Sequence, residues 1–157
     1  MNREQLAVYA EKYGNDVFRA AYSYVRNHAD SEDIMQETFL RLYKCEKTFA
    51  SDENVKAWLL RVAINVSKDY LKTSWLHKRT ELDENMSYED EKERSLNEAM
   101  AKLKPDYRIA VYLHYYMGYS VKETAELMGI SESNAKIRLK RGRDALREFL
   151  TDEQKGG

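Results

Sequence analysis

Residues 103–150 read LKPDYRIAVYLHYYMGYSVKETAELMGISESNAKIRLKRGRDALREFL, and their punctuation decides the fold of this part of the chain. Lys104-Pro105 ends one short helix and opens another, because proline suits the first helical turn, where its missing N–H costs nothing. That second helix is predicted over 106–117, with Gly118 as a left-handed C-cap. Ser120 and Glu123 are spaced as a capping box. The helix they start carries Val121, Ala125 and Met128 and stops at Gly129. Ser131 is the expected N-cap of a last helix whose inner face is Ala135, Leu139, Gly142, Leu146 and Leu150. Two helices joined by a short glycine-containing turn make a helix-turn-helix.

Working outward, residues 77–96 break the helical pattern. Segment 81–98 has eight acids against Lys92 and Arg94, a balance of -6. Like charges repel and little surface can be buried there, so a flexible acidic linker is expected. Upstream lies a long helix over about 55–72, with the stripe Val55, Trp58, Leu59, Val62 and Val66 at i, i+3, i+4, i+7 and i+11. Such a stripe demands a packed partner. Residues 45–54 read as a loop. Before it, Asp30 is the expected N-cap of a helix over 30–43 on which Met35, Phe39 and Leu42 face one way. In the first segment Leu6, Tyr9, Tyr13, Val17 and Tyr24 recur at helical spacing, interrupted near Gly14-Asn15. The prediction is an all-α chain of two small helical domains, 1–76 and 97–151, joined by the linker 77–96 and followed by a disordered tail, 152–157.

Composition excludes other classes. The 157 residues are 43% hydrophobic and 34% charged, too apolar for wholesale disorder. No apolar run approaches the roughly 18 residues of a membrane span, and the N-terminus lacks a signal-peptide core, so a cytoplasmic protein without membrane insertion is expected. One cysteine, Cys45, cannot form an internal disulfide, and His28, His77 and His114 have no metal-ligand spacing. No glycine-rich phosphate loop or nucleophile motif occurs, so neither enzyme chemistry, a metal nor a cofactor is expected. Net charge is only -1, but it is segregated: 54–79 carries +5 and 132–148 carries +3 on either side of the acidic segment.

Three faces carry chemistry. On the last helix Ser133, Asn134, Lys136, Ile137, Arg138, Lys140 and Arg141 point away from the apolar face. The second helix of a helix-turn-helix enters the major groove, where Arg and Lys read guanine, Asn reads adenine, and other cations hold phosphates. A solvated face on an ordinary helical hairpin is the alternative. On the long helix Arg61, Asn65, Lys68 and Lys72 form a polar stripe, read as opposite the Trp58 face. Three cations in a row suit a phosphate backbone and Asn65 adds a base-reading amide, again with a solvated face as the alternative. Trp58 is expected in the core, while Trp75 is open to base stacking. Finally, Asp33, Gln36 and Glu37 lie away from Met35 and Phe39. Acids are poor phosphate partners, so this face points to a protein contact with a basic surface; helix-dipole complementarity explains Glu32 and Asp33 but not Gln36 and Glu37.

These motifs together resemble the sigma-70 family, in particular the short extracytoplasmic-function (ECF) type of RNA polymerase sigma factor. ADSEDIMQETFLRLYK (29–44) is similar to that family's core-binding signature, VKAWLLRVAINVSKDYLK (55–72) to its W-L-x-R-I-A-x-N-x-x-x-D-x-L helix, and 103–150 to its C-terminal helix-turn-helix. The resemblance implies that Asp33, Gln36 and Glu37 dock on the β′ clamp helices of core RNA polymerase. It implies that Arg61, Asn65, Lys68 and Lys72 meet the minus-ten element of promoter DNA, with Phe49 and Asn65 holding a base flipped from the non-template strand. The last helix would read the minus-thirty-five element near the β flap, and the acidic linker would follow the RNA-exit path as an RNA mimic. An anti-sigma factor is the implied regulator. Two positions depart from the pattern: Ile137 replaces a small polar residue, and Gly142 replaces an alanine, at a cost of about 1 kcal/mol of helix propensity. A stand-alone helix-turn-helix regulator, or an adaptor to polymerase that reads no DNA, would each leave one of these faces without a use.

Overall fold

The computed structural model describes residues 1–74 and 91–155. Their regular structure is helical throughout, and the chain divides into two compact units, Met1–Asp83 and Glu84–Gly157.

The first unit packs three helices, each against the other two. Helix α1 (Arg3–Val25) opens on a capping box: Gln5 N–H donates to Asn2 Oδ1 at 2.8 Å and Asn2 N–H to Gln5 Oε1 at 3.2 Å. It ends at Arg26, whose left-handed φ of 52° turns the chain. The expected interruption at Gly14-Asn15 is absent. Tyr13 and Val17 are both buried, and packing on either side of the glycine outweighs its propensity cost of about 1 kcal/mol. The N-cap of helix α2 (His28–Lys44) lies three residues earlier than expected. Asn27 is the N-cap, accepting from Asp30 N–H at 2.9 Å, and Asp30 sits within the first turn. Helix α3 (Asp52–Ser74) also starts early, because Ser51 Oγ accepts from Asn54 N–H at 3.2 Å and moves the loop's end back. Its buried side is wider than the sequence stripe and includes Leu60, Ala63, Ile64 and Ser67.

In the second unit α7 is the spine on which the other helices pack. Helix α4 (Glu91–Lys102) buries Ala99, and Lys102 Nζ lies 5.3 Å from the Phe149 ring centre on α7. It begins at Glu91, so 91–96 are helical rather than linker: the segment EKERSLNEAMAK offers Ala99 and Met100 for packing despite its charge. The remainder of that linker, and Trp75, lie outside the described residues. Helix α5 (Pro105–Val111) has Pro105 at its first position. It does not continue as α-helix to Met117 as expected. Tyr112–Tyr116 form a π-helical turn, closed by Met117 N–H donating to Tyr112 C=O at 3.0 Å. Buried Arg108 donates to the Leu103 carbonyl and ties the α4–α5 corner.

Helix α6 (Val121–Met128) has the predicted capping box, Glu123 N–H to Ser120 Oγ at 3.0 Å and Ser120 N–H to Glu123 Oε1 at 2.9 Å. That backbone hydrogen bond holds the Glu123 carboxyl below the usual range. Gly118 (φ 82°) and Gly129 (φ 69°) both take the left-handed conformation that a Cβ disfavours. Helix α7 (Glu132–Lys155) is capped by Ser131 Oγ, which accepts from Asn134 N–H at 3.1 Å. It runs through 152–155, part of the stretch expected as a disordered tail, because TDEQK contains no breaker.

Candidate functional site

The α2 face is built by the helix itself. Burial of Ile34, Thr38, Phe39 and Leu42 against α1 and α3 turns Asp33 and Gln36 outward and leaves Glu37 half-buried. Arg41 Nε donates to Glu37 Oε1 at 3.1 Å, which fixes that carboxylate. The negative field is felt nearby: burial first, then the charges of Asp33, Asp30 and Glu37, push the Tyr70 phenol up. The sequence reading missed two residues on this face. Leu40 and Tyr43 are 45% and 39% exposed, one and two turns beyond Gln36. The signal was present, since an apolar residue at i+4 from Gln36 has no core to enter. An apolar anchor ringed by acids and an amide is the composition of a protein-docking patch.

On α3, Arg61, Asn65 and Lys72 are exposed and Lys68 is half-buried. At about 100° per residue the row is centred about 170° from the middle of the buried side (Val55, Leu59, Leu60, Ala63, Ile64, Val66 and Ser67), so it lies opposite the core but only about 50° from Trp58. Trp58 is the border residue. It is half-buried and stands two turns before Asn65 on nearly the same line. Phe49 packs edge-on to it, ring centres 5.9 Å apart at 71°, and both lean on the core of Tyr13, Val17 and Leu59. Phe49 and Trp58 thus form an aromatic step at the start of the cationic row, a combination suited to a single strand whose bases stack while its phosphates are neutralised.

On α7, Ser133, Asn134, Lys136, Ile137, Lys140 and Arg141 are exposed, while Ala135 and Leu139 are buried. Ile137 is 48% exposed, in contrast to its buried neighbours Ala135 and Leu139. Arg138 is half-buried and its Nη1 lies 3.9 Å from Asp106 Oδ1; Arg141 Nη1 donates to Tyr107 Oη at 3.5 Å and holds that phenol below its usual range. The two arginines are therefore oriented by α5 before any ligand arrives.

A further feature was not legible in the sequence. An apolar groove of about 570 Å³ in the second unit is lined by Leu96, Met100, Tyr112, Tyr116, Leu146 and Leu150, with Arg143 and Arg147 also on its wall. The π turn creates its aromatic side, stacking Tyr112 on Tyr116 at 5.1 Å and leaving Tyr115 and Tyr116 51% and 63% exposed. Among the described residues no cluster of His, Cys, Asp or Glu could hold a metal ion, and no helix is long and apolar enough to cross a membrane.

Two family models match the chain: Sigma-70 region 2 over residues 9–77, and Sigma-70, region 4 over residues 93–146. The RNA polymerase sigma factor CarQ of Myxococcus xanthus is 34% identical over 140 residues, covering 80% of this chain and 78% of its own length. The ECF RNA polymerase sigma factor SigM of Bacillus subtilis is 32% identical over 150 residues, covering 87% and 90% respectively. Among solved structures, the sigma factor RpoE in complex with the anti-sigma factor NepR from Bartonella quintana matches with a TM-score of 0.70 at 21% identity, covering 95% of this chain and 96% of that one. CnrH in complex with the cytosolic domain of CnrY matches with a TM-score of 0.66 at 22% identity, covering 96% and 90%.

Proposed function

The chain belongs to the sigma-70 family of RNA polymerase sigma factors, and from that membership and the three faces we infer how its two units divide one task. It is an alternative sigma factor of the ECF type, which joins core polymerase and directs promoter recognition and the start of transcription. We assign the first unit to core polymerase and the minus-ten element. Asp33, Gln36 and Glu37, with Leu40 and Tyr43 beside them, dock on the β′ clamp helices. Arg61, Asn65, Lys68 and Lys72 follow the opened strand, and Phe49 with Asn65 hold its extruded base, since stacking and hydrogen bonds offset the few kcal/mol that extrusion costs. We assign the second unit to the minus-thirty-five element. Ser133, Asn134, Lys136, Ile137, Arg138, Lys140 and Arg141 read the major groove or hold its phosphates. The apolar groove with its two arginines suits an acidic amphipathic helix, from the β flap or from an anti-sigma factor of the kind bound by RpoE of Bartonella quintana. No catalytic group is assigned, and the place of work is the cytoplasm.

The observation that carries this reading is the α2 face. A stand-alone helix-turn-helix regulator has no use for an exposed acid-and-amide patch around Leu40, nor for a region 2 match over 9–77. The test is run-off transcription with core polymerase on genomic fragments that include the protein's own upstream region. Discrete transcripts requiring both core and this chain are expected. Tight, sequence-specific duplex binding by the chain alone, without transcripts, would overturn the reading.

A further inference from the structure

One residue fastens the α2–α3 loop to α1. Asp52 opens α3, and its carboxylate accepts from Lys12 Nζ at 2.9 Å and from Tyr9 Oη at 3.2 Å. Its backbone carbonyl accepts from Tyr13 Oη at 3.2 Å. Tyr9, Lys12 and Tyr13 stand at i, i+3 and i+4, one face of α1, so three groups of that face converge on a single loop-end residue. The Lys12 and Asp52 side chains are 51% and 55% exposed, and an ion pair so exposed adds little to stability. Its effect is geometric. Asp52 lies three residues after Phe49, and the Phe49 ring packs in the same cluster as Tyr9 and Tyr13. The loop is thereby fixed at its aromatic tip by packing and at its end by three hydrogen bonds.

We propose that Asp52, gripped by Lys12, Tyr9 and Tyr13, is a positioning residue for promoter opening, holding the loop so that Phe49 stands at the head of the Arg61–Asn65 row. This rests on the assignment of Phe49 to the extruded base. Asp52 itself need not touch DNA, and its charge opposes a phosphate. Removing that charge would therefore help DNA binding if electrostatics were its role, whereas removing the Lys12 charge would hinder it. Loss of positioning moves both variants the same way.

The experiment uses holoenzyme assembled from core and full-length chain on a cognate promoter. Permanganate reactivity of melted thymines is read for wild type, Asp52→Asn, Lys12→Met, Phe49→Ala and the double variant Asp52→Asn/Phe49→Ala. Core affinity and thermal midpoint are measured alongside. Expected are a several-fold loss of melted thymines in both Asp52→Asn and Lys12→Met, core affinity equal to wild type, and a double variant no worse than Phe49→Ala. Undiminished melting in Asp52→Asn beside an impaired Phe49→Ala overturns the positioning role alone. Opposite shifts in the two charge variants, or losses that multiply in the double variant, also overturn it. Wild-type melting in Phe49→Ala overturns the base-holding assignment, and the positioning role with it.

Discussion

Among the described residues two glycines lie inside helices, and alanine should stabilise at one of them but not at the other. A Cβ built on Gly14 would have Met35 Sδ as its nearest neighbour at 3.9 Å, an ordinary contact. Gly14→Ala should therefore gain most of the helix-propensity difference, about 1 kcal/mol. A Cβ on Gly142 would lie 2.8 Å from Val111 Cγ2 and 3.5 Å from the Tyr107 carbonyl oxygen. Val111 is buried and β-branched in a helix, so its χ1 is nearly fixed and the methyl cannot swing aside. Relief must come from parting α5 and α7, and overpacking of that kind costs about 1–3 kcal/mol. Against a propensity gain of about 1 kcal/mol, Gly142→Ala should come out neutral to about 2 kcal/mol destabilising. Native-state hydrogen exchange at the amides of α5 to α7 measures this in the unit concerned. Val111→Ala removes the offending methyl, so a double-mutant cycle should show favourable coupling of about 0.5–3 kcal/mol between the two alanines. If Gly142→Ala alone stabilises these helices as Gly14→Ala stabilises the first unit, or if the cycle shows no coupling, close approach is not the reason for the glycine.

Asp33→Ala with Gln36→Ala should weaken binding in a titration against core polymerase by about 2–5 kcal/mol while leaving helix content unchanged. Ile137→Ser should leave stability within about 0.5 kcal/mol, because the side chain is half exposed; in a randomised minus-thirty-five library it should lose preference at one thymine position, whose methyl is the apolar feature of the groove. Lys12, then Tyr9, hold the Asp52 carboxyl below the usual aspartate range through hydrogen bonds. A lowered carboxylate stabilises above its unfolded pKa of about 3.9, and that contribution is lost as pH falls through the lower folded value. Carboxyl titration by NMR should show Lys12→Met moving Asp52 back up; no movement would separate the shift from that contact.

Elements with chemical punctuation were legible in the sequence. Pro105, the Ser120/Glu123 box, Gly129 and Ser131 set the second unit's boundaries through local hydrogen bonds that need no knowledge of the rest of the fold. Boundaries misread in the first unit had competing local candidates: Asn27 and Asp30 can both cap, and only packing of Ser31 and Ile34 decides between them. The exposed faces of α2, α3 and α7 followed from spacing alone. Spacing already sets Trp58 seven residues before Asn65 and so on nearly the same line, not opposite the cationic row; what only packing shows is that the ring is half-buried there, with Phe49 edge-on to it. The π turn left no trace in the sequence. YLHYY is an unexceptional helical string, and its extra residue is accommodated where Tyr112 and Leu113 are buried and Tyr119 N–H reaches back to the Leu113 carbonyl at 3.0 Å.

That wide turn has a consequence for how such a chain can change over generations. It holds one residue more than an α-helical ladder requires, and each residue turns a helix by about 100°. An in-frame loss of a single codon within 112–116 would let the turn close as ordinary helix and swing its tyrosines about a quarter of the circumference, remodelling one wall of the apolar groove at a stroke. Ser131, the stop at Gly129 and the cations of α7 lie outside the edited codons. The segment is therefore an indel site at which the groove can be remodelled without touching the exposed cations of α7.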